Sequence, residues 1–249
     1  MGASVVEFGR TLERLYKRQL RRVLRVAAEL GVPYRPGGRR WRIDLPQSTL
    51  NTLQAGALKY SYRGHPMLKN PLDVALYPLL IWKAKPRTII EIGSYLGVSA
   101  IWFADLLRGA DIEGARVVSV DLEAPSPPEP RDNVTYLAGD ALDLAATLTP
   151  ALLDSLPRPW LVVEDSAHTL ASTTAVLEFF APRLQSGEWV VIEDGMVSDL
   201  GWAPQYGGGP GLAISRFLAA HPEFEIDADL CDRYGHNLTG NPNGYLRRR

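Results

Sequence analysis

The chain has 249 residues, of which 46% are hydrophobic and 22% charged, with a net charge of −1. This suits one α/β domain with additions and a sizeable core, and gives no global sign of nucleic-acid binding. Its one cysteine, Cys231, excludes an intrachain disulfide. No run approaches the roughly 18 apolar residues needed to span a membrane, and the start does not read as a signal peptide. A cytoplasmic setting without membrane or nucleic-acid partners is expected.

Charge is uneven along the chain. Residues 1–60 carry 12 Lys and Arg against 4 Asp and Glu, a net +8, and the remainder carries 15 against 24, a net −9. Residues 5–30 read as an amphipathic helix, with Phe8, Leu12, Tyr16, Leu20, Val23, Ala27 and Leu30 recurring every three or four positions. Gly31 and Pro33 end it. A basic connector follows to Pro46, with a short strand expected at Trp41-Arg42-Ile43. An apolar seam of this kind packs on the protein's own core or on another subunit, and a homo-oligomer is expected. The division is therefore residues 1–60 for packing or oligomerisation and 61–249 for the functional domain.

From Tyr62 to Asp73 the Gly and Pro content predicts a loop, followed by a helix from about 72 to 84. Strands are then expected at 87–92, 116–121, 133–137, 160–164 and 189–193, and helices at 97–108, 169–181 and 211–220. This alternation implies a parallel sheet covered by helices on both faces. Phe224–Ile226 and Gly244–Arg247 read as short strands of a terminal hairpin at the sheet edge.

The chemistry gathers at strand ends. The first strand runs into Glu91-Ile92-Gly93-Ser94-Tyr95-Leu96-Gly97-Val98-Ser99. A glycine turn there exposes backbone N–H groups at a helix start and lets a ligand approach closely. The spacing is E-x-G-x-x-x-G, which differs from the G-x-G-x-x-G of dinucleotide folds. The next strand ends at Asp121, suited to accept from two ribose hydroxyls. The third ends at Asp140-Ala141, where Asp140 suits an adenine amino group. Either aspartate alone would also serve as a helix cap. The fourth and fifth strands end in Asp165 and in Glu193-Asp194. If the strands are neighbours, three carboxylates converge, and mutual repulsion makes a hard divalent cation such as Mg²⁺ the expected occupant. His168, three residues after Asp165, is placed to take a proton near neutral pH, though a capping or packing role is the plainer reading of a lone histidine.

The glycine turn resembles the first motif of class I S-adenosylmethionine (SAM) methyltransferases. Asp165-x-x-His168 followed by Glu193-Asp194 resembles the cephalosporin hydroxylase (cephamycin methoxylation) and rhamnosyl O-methyltransferase family. The likeness extends to Gly64-x-x-x-x-Lys69-x-Pro71, Tyr206-Gly207-Gly208-Gly209-Pro210, and Tyr234-Gly235-His236-Asn237 ahead of Asn241–Leu246. It implies a Rossmann-like class I methyltransferase sheet, mostly parallel with a C-terminal antiparallel hairpin and preceded by an N-terminal helical segment. It implies SAM bound by Glu91, Gly93, Ser94, Tyr95, Gly97, Ser99, Asp121, Asp140 and Ala141. It further implies Mg²⁺ on Asp165, Glu193 and Asp194, His168 as general base, and a small-molecule hydroxyl acceptor. Lys69, Tyr206 and His236 are expected to border the acceptor pocket. Some relatives carry an acid just before the histidine, where this chain has Ala167. A non-catalytic SAM-binding or assembly protein is the alternative, and a nicotinamide oxidoreductase a more distant one.

Overall fold

One seven-stranded sheet organises the computed structural model, which describes residues 39–249 apart from residue 128. The expected helix over 5–30 lies outside the described residues. Residues Trp41–Arg249 form one compact unit.

In chain order the elements are α1 (Gln47–Ala57), β1 (Ser61–Tyr62), β2 (His65–Pro66), α2 (Pro71–Ala84), β3 (Thr88–Ile92), α3 (Val98–Gly109), β4 (Arg116–Asp121), β5 (Val134–Ala138), α4 (Leu144–Thr147), α5 (Pro150–Ser155), β6 (Trp160–Glu164), α6 (Leu170–Phe180), β7 (Trp189–Ile192), α7 (Gly209–Ala220), β8 (Phe224–Ile226), α8 (Ala228–Cys231) and β9 (Tyr245–Arg248). The large sheet runs β5-β4-β3-β6-β7-β9-β8. Strands β3 to β7 pair in parallel, and β9 is antiparallel to both β7 and β8. The chain leaves β3 toward β4 on one side and later returns to β6 on the other. That reversal opens a crevice at the carboxyl ends of β3 and β6, where α/β sheets bind ligands.

The central strands are apolar on both faces because helices cover both. Side chains alternate across the sheet. Ile90, Ile92, Val118 and Val162 pack with Val176, Phe180, Ile214 and Phe217 of α6 and α7. Ile89, Val117, Leu161 and Val163 pack with Leu76, Leu80, Phe103 and Leu107 of α2 and α3. Burying each such side chain contributes roughly 1.5–3 kcal/mol, so the strand ends that carry the polar groups stand on a stiff platform.

Two local expectations need correction. Trp41–Ile43 is not a strand: the Ile43 N–H donates to Asp199 Oδ1 at 3.1 Å, and its side chain packs on Leu50, Met196 and Leu200. The loop after residue 60 contains a small hairpin, β1 with β2, closed by Arg63 (φ 54°) and Gly64 (φ 85°). Two successive left-handed residues match the twist of a two-residue hairpin turn. The C-terminal strands pair antiparallel at the sheet edge as expected, with β9 between β7 and β8 and α8 in the connection between β8 and β9. The helices α1, α4 and α5 were not anticipated. Among the described residues no helix is long and apolar enough to cross a membrane.

Candidate active site

The turn after β3 must be glycine at its first position. Gly93 has φ 100°, and a Cβ there would lie 2.1 Å from the backbone oxygen of Asp165. The turn is thus pressed against the end of β6, bringing two sequence-distant strand ends into contact. Gly97, at φ 74°, occupies the N-cap position of α3, and the Tyr136 hydroxyl donates to its carbonyl at 2.8 Å.

Asp121, at the end of β4, ties this turn down. Its Oδ2 accepts from the Ser94 and Tyr95 N–H groups, both at 2.7 Å, and Oδ1 accepts from the Leu122 N–H at 2.7 Å. Carboxylate oxygens have further lone-pair sites, so the group can still receive a ligand hydroxyl. Asp140 caps its own turn, accepting from the Leu142 N–H at 2.8 Å. Glu91 lies behind the turn, fully buried, where Oε2 accepts from the Ser119 hydroxyl at 2.5 Å and Oε1 has no partner. Burial pushes its carboxyl up to about 7, despite the nearby Lys69 charge and the hydroxyls of Ser119 and Ser99.

The second half of the site is acidic. Parallel pairing sets β6 beside β7, so their ends converge as the sequence pattern requires. The Asp165 N–H donates to Ile92 O at 2.7 Å, Glu193 N–H to Glu164 O at 2.9 Å, and Asp194 N–H to Asn241 Oδ1 at 3.0 Å. Ligand atoms of Asp165, His168 and Asp194 lie within 4.8 Å of one another. Lys69 is only 2% exposed, and its ammonium donates to Asp165 Oδ2 and Glu193 Oε1, each at 2.6 Å. The Tyr77 hydroxyl donates to the same Glu193 oxygen at 2.5 Å. Burial raises the Glu193 carboxyl, with Asp165 adding to it, and burial raises Asp194 against the opposing pull of His168. Burial lowers the Lys69 pKa, but Asp165 and Glu193 outweigh it and hold the ammonium charged.

His168 immediately precedes Thr169, which caps α6 in a reciprocal capping box with Ser172. Its Nε2 lies 3.3 Å from Asp194 Oδ2. Burial disfavours the imidazolium, yet Asp194, Asp165, Glu164 and Glu193 together move its pKa above 6.5. Left-handed backbone is costly for residues other than glycine and persists where surrounding structure holds it. Among the described residues, nine non-glycine residues have positive φ, and four of them, Leu68, Tyr95, His168 and Asp194, line one cleft.

That cleft, of about 1070 Å³, joins the two halves. Gly93, Ser94, Tyr95, Ser99, Asp121, Asp140 and Ala141 line one end, and Asp165, His168, Asp194 and Tyr206 the other. Gln54, Leu58, Met67 and Trp202 complete the wall. Gly97 and Glu91 support it from outside. Two expected pocket residues sit elsewhere. Lys69 lies beneath the carboxylates, because an ammonium flanked by two anions is more stable there than in an open cleft. His236 does not line the cleft and has Asp232 Oδ1 3.6 Å from its Nδ1. Tyr77 and Asn241 went unrecognised as site residues. A tyrosine in the largely apolar helix α2 was the available signal for the first, and only the folded loop reveals the second.

A sheet of this order, with a glycine turn and acid-bearing strand ends around a cleft at its reversal point, defines a class I methyltransferase. A family model described as Rhamnosyl O-methyltransferase/CmcI matches residues 55–249, and the chain belongs to that family. It is similar to a rhamnosyl O-methyltransferase of Mycobacterium bovis (strain BCG / Pasteur 1173P2), 27% identical over 197 residues, covering 76% of this chain and 78% of the relative. The Mycobacterium leprae (strain TN) relative of the same description is 25% identical over 193 residues, covering 76% and 83%. A CmcI structure described as an Mg–SAM complex matches with TM-score 0.59 and 28% identity, covering 87% of this chain and 90% of that one. A CmcI structure described with SAH matches with TM-score 0.60 and 26% identity, covering 86% and 98%.

Proposed function

We propose that this protein transfers the methyl group of SAM to a hydroxyl of a small-molecule acceptor, with a divalent cation at the acidic end of the cleft. The observation that carries the reading is the single cleft joining the Gly93–Ser99 turn and Asp121 to Asp165, His168 and Asp194. It supports a donor and an acceptor lying end to end.

The acidic residues suit a hard cation. Asp165 Oδ1 and Asp194 Oδ1 stay outside the bonds made by Lys69 and His168, on residues that line the cleft, and Glu193, buried and outside that lining, keeps Oε2 clear of Lys69 and Tyr77. Oxygen donors without a nearby thiol favour Mg²⁺ or Mn²⁺. When bound, such an ion lowers the pKa of a hydroxyl and orients it. SAM, when bound at the glycine turn, supplies an activated methyl group. The chain's own contributions follow from its geometry. Asp121 and the turn fix the donor end, as ribose recognition needs a preformed acceptor. The neutral His168 imidazole accepts the acceptor's hydroxyl proton, with Asp194 stabilising the imidazolium that results. Trp202 and Tyr206, half-buried in the cleft wall, limit the access of water to the reacting end. Holding the two partners in register contributes much of the rate.

His168 also groups with Asp165 and Asp194 closely enough to serve as a ligand to the ion. That second reading differs in outcome: removing a ligand weakens metal binding, whereas removing a base leaves it intact.

The acceptor we infer is a natural-product hydroxyl, with a sugar favoured by the rhamnosyl O-methyltransferase relatives and a phenol or antibiotic intermediate next. The test incubates the protein with labelled SAM and a panel of rhamnosides, other glycosides and phenols, with Mg²⁺ and with EDTA. Label in an acceptor only when the ion is present is the expected result. Transfer at full rate in excess chelator removes the metal from the proposal. Absence of SAM binding removes the whole of it.

A further inference from the structure

The acidic cluster contains a cation of its own. Lys69 leads into helix α2 from a backbone that has little freedom. Leu68 before it is held left-handed at φ 54°, and Asn70 after it caps the helix by accepting from the Leu72 N–H at 3.0 Å. The side chain is thereby aimed inward, and its ammonium reaches two carboxylates contributed from 96 and 124 residues away. The Phe103 ring, 6.0 Å from Nζ, closes the apolar side. An ammonium so placed is shielded from water and cannot serve as a surface ion pair.

We propose that Lys69 is a positioning residue for the metal site, a resident counter-cation that holds Asp165 and Glu193 assembled before any ion arrives and matches the site's charge to a divalent one. The inference rests on the metal reading above. Asp165, Glu193 and Asp194 bring three negative charges, and one ammonium leaves two. Without the lysine, two carboxylates face each other across a buried gap with nothing between them, which strongly favours splaying or protonation. The ammonium also takes one oxygen from each of Asp165 and Glu193, leaving the other oxygen of each outside its own bonds. It therefore selects which oxygens an ion meets. Its presence tempers affinity, because a fixed positive charge a few ångströms away repels an incoming cation at the effective dielectric of such sites. The site is thus stable when empty and exchangeable when filled.

The test compares the full chain with Lys69→Met and Lys69→Arg, without SAM or acceptor. Melting temperature is read in EDTA and in saturating Mn²⁺, and Mn²⁺ affinity by calorimetry. In EDTA, Lys69→Met melts lower than the parent, because the carboxylates have lost their partner. Mn²⁺ restores much of that loss, so the ion-induced shift is larger than in the parent, and Mn²⁺ binds about tenfold tighter or more. Lys69→Arg keeps the charge and stays near the parent in both readings. If Lys69→Met folds only when Mn²⁺ is supplied, its unfolding on adding chelator shows the same dependence on a cation and supports the proposal. Equal destabilisation with and without Mn²⁺ reduces Lys69 to packing and overturns it, as does a Lys69→Met protein that no longer binds Mn²⁺. A parent protein with no ion-dependent shift refutes the metal reading itself, an outcome separate from a parent that responds and a variant that responds no more strongly.

Discussion

Asp121→Ala should weaken SAM binding and loosen the turn that receives it, and the two effects are separable. In the wild-type protein one carboxylate accepts three backbone N–H bonds at 2.7 Å, from Ser94, Tyr95 and Leu122. Hydrogen bonds to a charged group contribute roughly 1.5–3 kcal/mol each. Tyr95 and Leu122 are exposed, so water replaces most of what they lose, and their share of the loss is small. Ser94 is buried and cannot be rehydrated without opening the turn. A loss of about 2–3 kcal/mol in stability is expected without ligand. Two ribose hydroxyls on the same carboxylate add about 2–5 kcal/mol to binding, a fall in affinity of roughly 30-fold to a few thousand-fold. Calorimetric titration with SAM reads the second effect, and thermal unfolding of the ligand-free variant reads the first. Unchanged SAM affinity would refute the pocket assignment, even if the melting temperature fell as expected.

His168→Ala should lower kcat by about 10²–10⁴ while SAM and Mn²⁺ still bind by calorimetry; lost Mn²⁺ binding would make His168 a ligand instead. The working base is the neutral imidazole, so the wild-type rate should rise as pH passes its pKa, which lies above 6.5 without the ion and falls when a divalent ion binds. Stability in chelator should fall as pH rises from about 4 to about 7. Burial pushes Asp73 from 3.8 up to about 7, Glu91 from 4.5 to about 7 and Glu164 from 4.5 to about 6, so across that window the folded chain holds protons that the unfolded chain has released. Asp73 alone accounts for up to about 4 kcal/mol at 1.36 kcal/mol per pKa unit, and Asp73→Asn should flatten the denaturation profile between about pH 4 and 7; identical slopes in the two proteins would contradict this. Light scattering should give a mass above that of one chain, as the apolar seam over residues 5–30 implies, and a monodisperse monomer at micromolar concentration rules out the subunit contact.

Local pattern carried a good part of this architecture. The alternation of apolar runs with helical periodicity located β3, β4, β6 and β7 almost to the residue, because strands buried on both faces are mostly apolar. Gly93 was recognisable as a turn glycine, and Asp121, Asp165, Glu193 and Asp194 as acids following strands, since a parallel sheet collects its carboxyl ends along one edge. Their convergence was conditional on β6 and β7 being neighbours, and that pairing is a property of the sheet. What periodicity could not supply was anything resting on contacts between distant segments. Gly93 is indispensable because of a backbone oxygen 72 positions later. Lys69 and Tyr77 precede the carboxylates by roughly a hundred positions, and only packing of α2 against the sheet turns them from loop and helix residues into the underside of the acidic cluster. His236 and Lys69 carried the same kind of signal, a polar residue in a Gly-rich or Pro-flanked stretch. The fold drove one beneath the carboxylates and left the other outside the cleft, because burial of a charge is decided by the partner it finds, and that partner is fixed by tertiary structure alone.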